Sequence, residues 1–317
     1  MNSDKYYLGI DSSCYTTSLA VCDGAGRIVY NYRKLLSVKD KALGLRQSEA
    51  VFLHIRNYTE LLREVDLSSF GKLCGVCVSV TPRSIEGSYM PVFNAGEMVA
   101  CSAASAAGAP IERTSHQKGH LYAALIGNDL SSDRFIAVHL SGGTSEILLA
   151  EKKETDYSLE IVGGTMDISA GQLIDRTGVR LGFAFPSGNY VEKAAVKCAE
   201  NVSDRYKISL SGIDFNLSGV EAQVMRDIDS GTDMQVVCRA VEDAVSKTLS
   251  KCILSACKEY GVHDVLFFGG VICNEYIREI TRASLACEGL TAFYAGKEYS
   301  GDNACGVASC AYELFSR

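Results

Sequence analysis

Residues 134–153, RFIAVHLSGGTSEILLAEKK, read as a strand, a Ser-Gly-Gly turn and a returning strand. The chain opens in the same way. YYLGIDSS (6–13) is a strand entering a short polar turn, and TTSLAVCD (16–23) returns from it. A Gly-Ala-Gly turn then leads into RIVYNYRK (27–34), a third strand. The second half therefore restarts the pattern of the first, a weak internal repeat of pattern rather than of identity. The polar run GNDLSSDR (127–134) separates the halves. This organisation predicts two α/β domains with helices over mixed sheets, spanning 1–128 and 129–302. A last helix, 303–317, is expected to pack back on the first. Ligand is expected where the glycine turns converge between the two.

The intervening segments fit this scheme. QSEAVFLHIRNYTELLREV (47–65) has helical spacing, with Val51, Ile55, Tyr58 and Leu62 on one stripe. VFNAGEMVACSAASAAGAP (92–110) is a small-residue helix stopped by Gly108 and Pro110. DMQVVCRAVEDAVSKTLSKCILSACKEYG (233–261) is a long helix closed by Gly261, and VHDVLFFGGV (262–271) is an apolar strand ending in glycines.

The 317 residues carry a net charge of −7, so no basic tail invites nucleic acid. The thirteen cysteines are odd in number, and several stand in apolar runs such as KLCGVCVSV, where a thiol acts as a small hydrophobe. A reduced, cytoplasmic protein without a membrane span is expected.

Four turns at strand ends are candidates for phosphate contact: Asp11–Ser13, Ser141–Gly143, Gly163–Thr165 and Gly269–Val271. None is a Walker A loop or a dinucleotide fingerprint. His116 and His120 in RTSHQKGHLYAAL (113–125) stand at i and i+4, on one face if helical. That pair suits a transition metal, or is polar decoration at a helix start. Gln117 occupies the place where a zincin carries its glutamate base, which disfavours that protease class. Asp302 in YSGDNACGV is the best third ligand. Asp11 follows an apolar strand, a position for holding a cation or orienting water. Asp167 and Asp175 lie eight apart, two helical turns if the segment is helical. Ser211 and Gly212 form a turn, read without context as a loop.

Taken in order, these motifs resemble the TsaD family, the tRNA threonylcarbamoyltransferases long labelled glycoproteases. LGIDSSCYTTSLAV is similar to the family's opening GIETSCDET, SHQKGH to NHxEGH and HLSGGTSEI to VSGGHT. GGTMDISAGQLIDRTGVRLGFAFPSG is similar to GxTxDDAAGEAFDKxxxxLGLxYPGG. LSG (210–212) is similar to FSG, FGGVICN to GGVxAN, and GDNACGVA to TDNxAMIA. The resemblance runs from about residue 8 to 310.

It implies the two-lobed fold of actin, sugar kinases and the heat-shock ATPase. It implies one divalent metal, Fe or Zn, on His116, His120 and Asp302. It implies ATP or an acyl-adenylate, Mg being a further candidate cation. Gly142 and Gly143, with Ser141, would lie beside the phosphates; Asp167, Gly171, Asp175 and Gly188 around ribose and base; and Gly270 and Asn274 against the nucleotide. The family reaction passes a threonylcarbamoyl group from its adenylate to N6 of adenosine 37 in tRNA. The family's members also dimerise or join complexes with a small partner of the same family.

The departures are specific. Two acids after the family's cysteine are Tyr15 and Thr16 here, the histidine of SGGHT is Thr144, and the lysine after FSGL is Asp214. DDAAGE reads DISAGQ, with Ile168 and Gln172 in place of acids. GLRQSEAVFLH (44–54) replaces GGVVPExASRxH, with Glu49 and His54 matching its acid and histidine. The expected protein is a divergent paralogue: a transferase-like enzyme, an ATP-hydrolysing one with another acceptor, or a regulatory nucleotide-binding subunit. tRNA as acceptor is opposed by the net charge and by Asp214.

Overall fold

The computed structural model describes residues 4–13, 15–37, 45–154 and 156–316. Cys14 and Gly44, quoted in the motifs, the first three residues of the first domain, and Arg317, which ends the expected last helix, lie outside the described residues. Two compact units form. The first takes the described residues up to Asp129, Lys152–Tyr157, and Gly296 onward; the second takes Leu130–Glu151 and Ser158–Ala295. The first unit thus includes the loop Gly296–Asp302, which the reading from sequence left with the second half.

In the first unit β1 (Lys5–Ser12), β2 (Thr16–Asp23) and β3 (Ile28–Leu35) are consecutive and antiparallel. After α1 (Gln47–Glu64) comes β4 (Lys72–Thr81), parallel to β1. α2 (Phe93–Ala107) crosses to β5 (Ile111–Ser115), parallel to β4, and α3 (His116–Leu125) follows at once. The sheet order is β3-β2-β1-β4-β5.

The second unit repeats this plan. β6 (Arg134–Leu140) and β7 (Ser145–Lys153) are antiparallel, and β8 (Asp156–Gly164) extends the sheet beside β7. Then come α4 (Ala170–Arg180), α5 (Gly188–Ala195), the short hairpin β9 (Ser209–Ser211) and β10 (Asp214–Asn216), α6 (Ser218–Asp229) and α7 (Met234–Tyr260). β11 (Asp264–Phe268) returns parallel to β6, and after α8 (Glu275–Cys287) β12 (Thr291–Tyr294) is parallel to β11. The order β8-β7-β6-β11-β12 is that of the first sheet, element for element. The repeat seen in pattern at 6–34 and 134–153 is a duplicated sheet. α9 (Cys305–Phe315) closes the chain on β1, β4 and α3.

Each sheet is a core. Leu8, Ile10, Leu19, Val21, Val76 and Val78 pack with Tyr58, Leu61 and Ala100 in the first unit. Ile136, Val138, Ile147, Val265 and Phe267 pack with Val237, Val241, Val245 and Leu249 of α7 in the second. Each such side chain contributes about 1.5–3 kcal/mol relative to exposure.

Three local expectations are corrected. The α1 stripe is shifted: Ala50, His54, Asn57, Tyr58 and Leu61 are buried, whereas Ile55 and Leu62 are 40% and 43% exposed. His54 and Asn57 bury because both bond to Thr17, which apolar periodicity does not register. Gly163 and Gly164 are not a free turn but the end of β8, where Gly163 lies against Ile213 and Gly164 against the Ser145 carbonyl. The turn at Ser211 and Gly212 is present, but it joins the two strands of a hairpin rather than standing in a loop.

Candidate functional sites

The first site is in the first unit. Ser115 caps α3, its Oγ accepting from the Lys118 N–H at 3.2 Å, so the helix begins at His116. One turn later His120 presents its ring on the same face, the two rings 4.4 Å apart. Their Nε2 atoms are 3.0 Å apart. Asp302, in the loop before α9, places Oδ1 3.5 Å from His116 Nε2 and 3.4 Å from His120 Nε2. Ligand atoms about 2.0–2.2 Å from one ion lie about 3–3.5 Å from each other. The three residues form a group able to coordinate a metal ion.

The surroundings fit that use. Asp11 is fully buried at the end of β1, and its Oδ1 takes the Nδ1–H of His116 at 2.9 Å. This fixes the tautomer that leaves Nε2 free for a ligand bond. Asp11 Oδ2 is buried without a hydrogen-bond partner among the described residues. Asp302 Oδ2 accepts from Ser13 Oγ at 2.9 Å and from Thr16 Oγ1 at 3.3 Å. His54 braces that loop, with Nε2 2.9 Å from the Ser13 carbonyl and Nδ1 2.8 Å from Thr17 Oγ1. Burial holds the His54 imidazole below its usual range, so it is neutral at pH 7. Burial also pushes His116 down, but Asp11 and Asp302 outweigh it and hold His116 well above the usual imidazole range. Burial likewise raises Asp302, and its bonds to the two histidines outweigh that and hold it well below the carboxylate range. Glu49 is exposed in the first turn of α1 and takes no part.

The second site lies within the second unit. A cavity of about 620 Å³ is lined by Gly142, Gly171, Asp175, Gly188, Gly270 and Asn274, six of the residues singled out in the sequence. Phe185, Pro186, Tyr190, Glu192 and Cys273 complete much of its wall. Asp175 Oδ1 holds the Ser187 N–H at 2.7 Å, shaping the loop before α5. Gly171 acts by closeness: a Cβ there would stand 2.4 Å from the Ser141 carbonyl oxygen. Asn274 caps α8, its Oδ1 accepting from the Ile277 N–H at 2.9 Å. Its Nδ2 donates to the buried Glu242, leaving one N–H of the amide.

Three residues expected here do otherwise. Ser141 Oγ accepts from the Thr144 N–H at 3.1 Å within its own turn, and the exposed Gly143 does not line the cavity. Asp167 stands before α4, not on it, so its spacing to Asp175 is not helical. Its carboxylate accepts from the Leu217 and Ser218 N–H groups at 2.9 and 3.0 Å, closing the start of α6. Phe185, Tyr190 and Glu192 of the wall, and Glu242 near it, were not legible as site residues. Phe185 stands inside the quoted motif ending in FPSG, but nothing in that motif marks it as a wall residue.

Two similarly ordered mixed sheets define a class: the two-lobed α/β fold of actin, sugar kinases and the heat-shock ATPase, here with a His-His-Asp group able to take a metal. Solved structures agree on the fold. Full-length HypF, in its phosphate- and nucleotide-bound form, matches at a TM-score of 0.61 and 14% identity, over 99% of this chain and 47% of that one. The chain thus spans about half of that longer protein. Component A of the Acidaminococcus fermentans (R)-2-hydroxyglutaryl-CoA dehydratase matches at 0.57 and 14%, over 99% and 100%.

The particular family follows from sequence. The profile of TsaD, tRNA N6-adenosine threonylcarbamoyltransferase, matches residues 54–309, and the chain belongs to that family. The enzyme of that name from Thermotoga neapolitana is 27% identical over 98% of this chain and 94% of its own. That from Desulfitobacterium hafniense is 26% identical over 98% and 92%.

Proposed function

We propose that the protein is a metal-dependent, adenine-nucleotide-binding enzyme that transfers an acyl group of the carbamoyl type from an adenylate to an acceptor. The carrying observation is the built surround of the triad: a buried carboxylate, Asp11, orients His116, and two hydroxyls hold Asp302. His116, His120 and Asp302 would hold the ion, Fe or Zn. Such an ion, when bound, supplies a Lewis-acid contact to a phosphate or carbonyl oxygen. Asp11 keeps Nδ1 of His116 protonated and its ring fixed. The cavity of the second unit suits a nucleoside: a mixed wall of glycine backbone, two aromatic rings and two carboxylates, Asp175 and Glu192, suited to hydroxyl or amine donors.

The acceptor need not be the family's tRNA. Thr16 and Tyr15 replace two acids, and Thr16 donates to Asp302 where an acid would repel it. Asp214 has a structural bond instead, its Oδ1 accepting from the Gly164 N–H at 3.1 Å. These rebuilt contacts support a divergent paralogue. The test is AMP release from threonylcarbamoyl-adenylate by the metal-loaded protein, with and without tRNA lacking the modification. Release that requires His116 supports the reading, and tRNA labelling decides the acceptor. No release, with adenine nucleotide still bound, favours the regulatory-subunit alternative.

A further inference from the structure

One wall of the cavity is the 3₁₀ turn Gly270–Cys273 with Asn274 after it. Behind that wall lies Glu242 on α7, fully buried. Its Oε1 accepts from Asn274 Nδ2 at 2.6 Å, and its Oε2 from Arg239 Nη1 at 2.8 Å. The Arg239 guanidinium in turn covers the Tyr276 ring, 3.9 Å from its centroid. A single carboxylate therefore ties the turn, the first residues of α8 and α7 together. An apolar side chain here would leave the Asn274 amide and the Arg239 guanidinium without this acceptor. A buried acid whose two oxygens meet two donors, one of them in the cavity wall, calls for a functional reason.

We propose that Glu242 is a positioning residue for this cavity: by holding the Asn274 amide and the Arg239–Tyr276 contact, its carboxylate fixes the Gly270–Asn274 wall in the form that receives an adenine nucleoside. This rests on the nucleotide reading of the cavity given above. A carboxylate offers only acceptors, which both neighbours require. A carboxylic acid would turn an O–H toward a donor and lose one of the two bonds. Burial pushes this carboxyl up to about 7, against the pull of Asn274 and Arg239, and Glu192 of α5 adds to the rise. The other titratable groups that feel it are Cys238 of α7 and Tyr276 of α8, while Asp243, next to it in sequence, is tied to Lys247 at 3.0 Å. Glu192 itself holds the Glu275 N–H at 2.7 Å. The wall is thus held above neutral pH and released below it.

The test uses the full chain and adenosine, a nucleoside without a phosphate that titrates in the window. Calorimetry at pH 6 and pH 8 is run on wild type and Glu242→Gln. In parallel, hydrogen exchange of the Ile277 amide, which Asn274 holds, is followed without ligand and corrected for intrinsic rate. Wild type is expected to bind adenosine about tenfold more weakly at pH 6 than at pH 8. Its Ile277 amide loses protection over the same range. Glu242→Gln keeps an acceptor for Asn274 but does not titrate, and shows neither change. Equal wild-type affinity at both pH values, or an affinity change that Glu242→Gln reproduces, overturns the proposal. An affinity change with Ile277 protection constant overturns the route through Asn274. No adenosine binding at either pH, with the Ile277 response intact and absent in Glu242→Gln, counts against the nucleotide reading and supports the positioning role. No binding and no response overturns both.

Discussion

Gly306 and Gly119 meet so closely that a Cβ on Gly306 would stand 1.9 Å from the Gly119 carbonyl oxygen. Gly119 lies between the two histidines in SHQKGH, and Gly306 lies four residues after Asp302. The crossing of α3 and α9 therefore brings a carboxylate from the far end of the sequence to the histidine face. Gly119, the glycine of the histidine motif, is crowded in turn: a Cβ there would stand 2.9 Å from Val307 Cγ2 of α9.

Gly306→Ala should accordingly separate α9 from α3. Overpacking at such a contact costs about 1–3 kcal/mol. Metal affinity should fall about tenfold or more, as when a supporting contact is lost. Chelator competition on the folded variant checks this. Wild-type affinity in Gly306→Ala would mean that Asp302 reaches the histidines without the close crossing.

Asp11→Asn should keep the shape of the site but weaken the orientation of His116. An amide can present its nitrogen to Nδ1 and favour the wrong tautomer. Metal affinity is expected to fall about 10–100-fold, with stability little changed. Chelator competition and thermal melting together separate this from unfolding.

Asp167→Ala tests a correction to the sequence reading. Burial raises this carboxyl, but bonds from Ser218, Leu217 and Ile168 outweigh it and hold it below the usual range. Its stabilisation is present above the ordinary carboxylate pKa and is lost as pH falls through the depressed value. The variant should lose about 1–2 kcal/mol at pH 7, as for a helix cap, with adenosine affinity unchanged. A large loss of affinity at full stability would return Asp167 to the nucleotide.

Glu242 has the opposite sign. Its folded value is raised from 4.5 to about 7, so the native state binds more protons between these limits. Stability should fall as pH rises from 4.5 to about 7 and stay level above, by up to about 3 kcal/mol. Urea midpoints of wild type and Glu242→Gln across this range should diverge with that slope. Parallel curves would show that another group carries the dependence.

The sheets were legible in the sequence because β1, β6 and β11 are apolar strands bounded by glycine or polar turns. The histidine pair was legible because i and i+4 define one helix face. Asp302 was reachable only through the order of motifs, since nothing local to YSGDNACGV points 182 residues back to His120. The α1 face was read one residue off because His54 and Asn57 bury through hydrogen bonds. The bonds of Asp167 were not legible because its partners, Leu217 and Ser218, lie 50 and 51 residues away. Glu242 was invisible: in VVCRAVEDAVSK it looks like one acid on a solvated helix, and only the fold sets it against Asn274.

The most direct test of the account is the metal content of anaerobically purified protein, wild type beside Asp302→Ala. Asp302 is the member of the group that the fold brings from 182 residues beyond His120. One equivalent of iron or zinc in wild type and a strong loss in the folded variant is the predicted result. Equal metal in both, or none in wild type after reconstitution with either ion, would contradict a centre built on His116, His120 and Asp302.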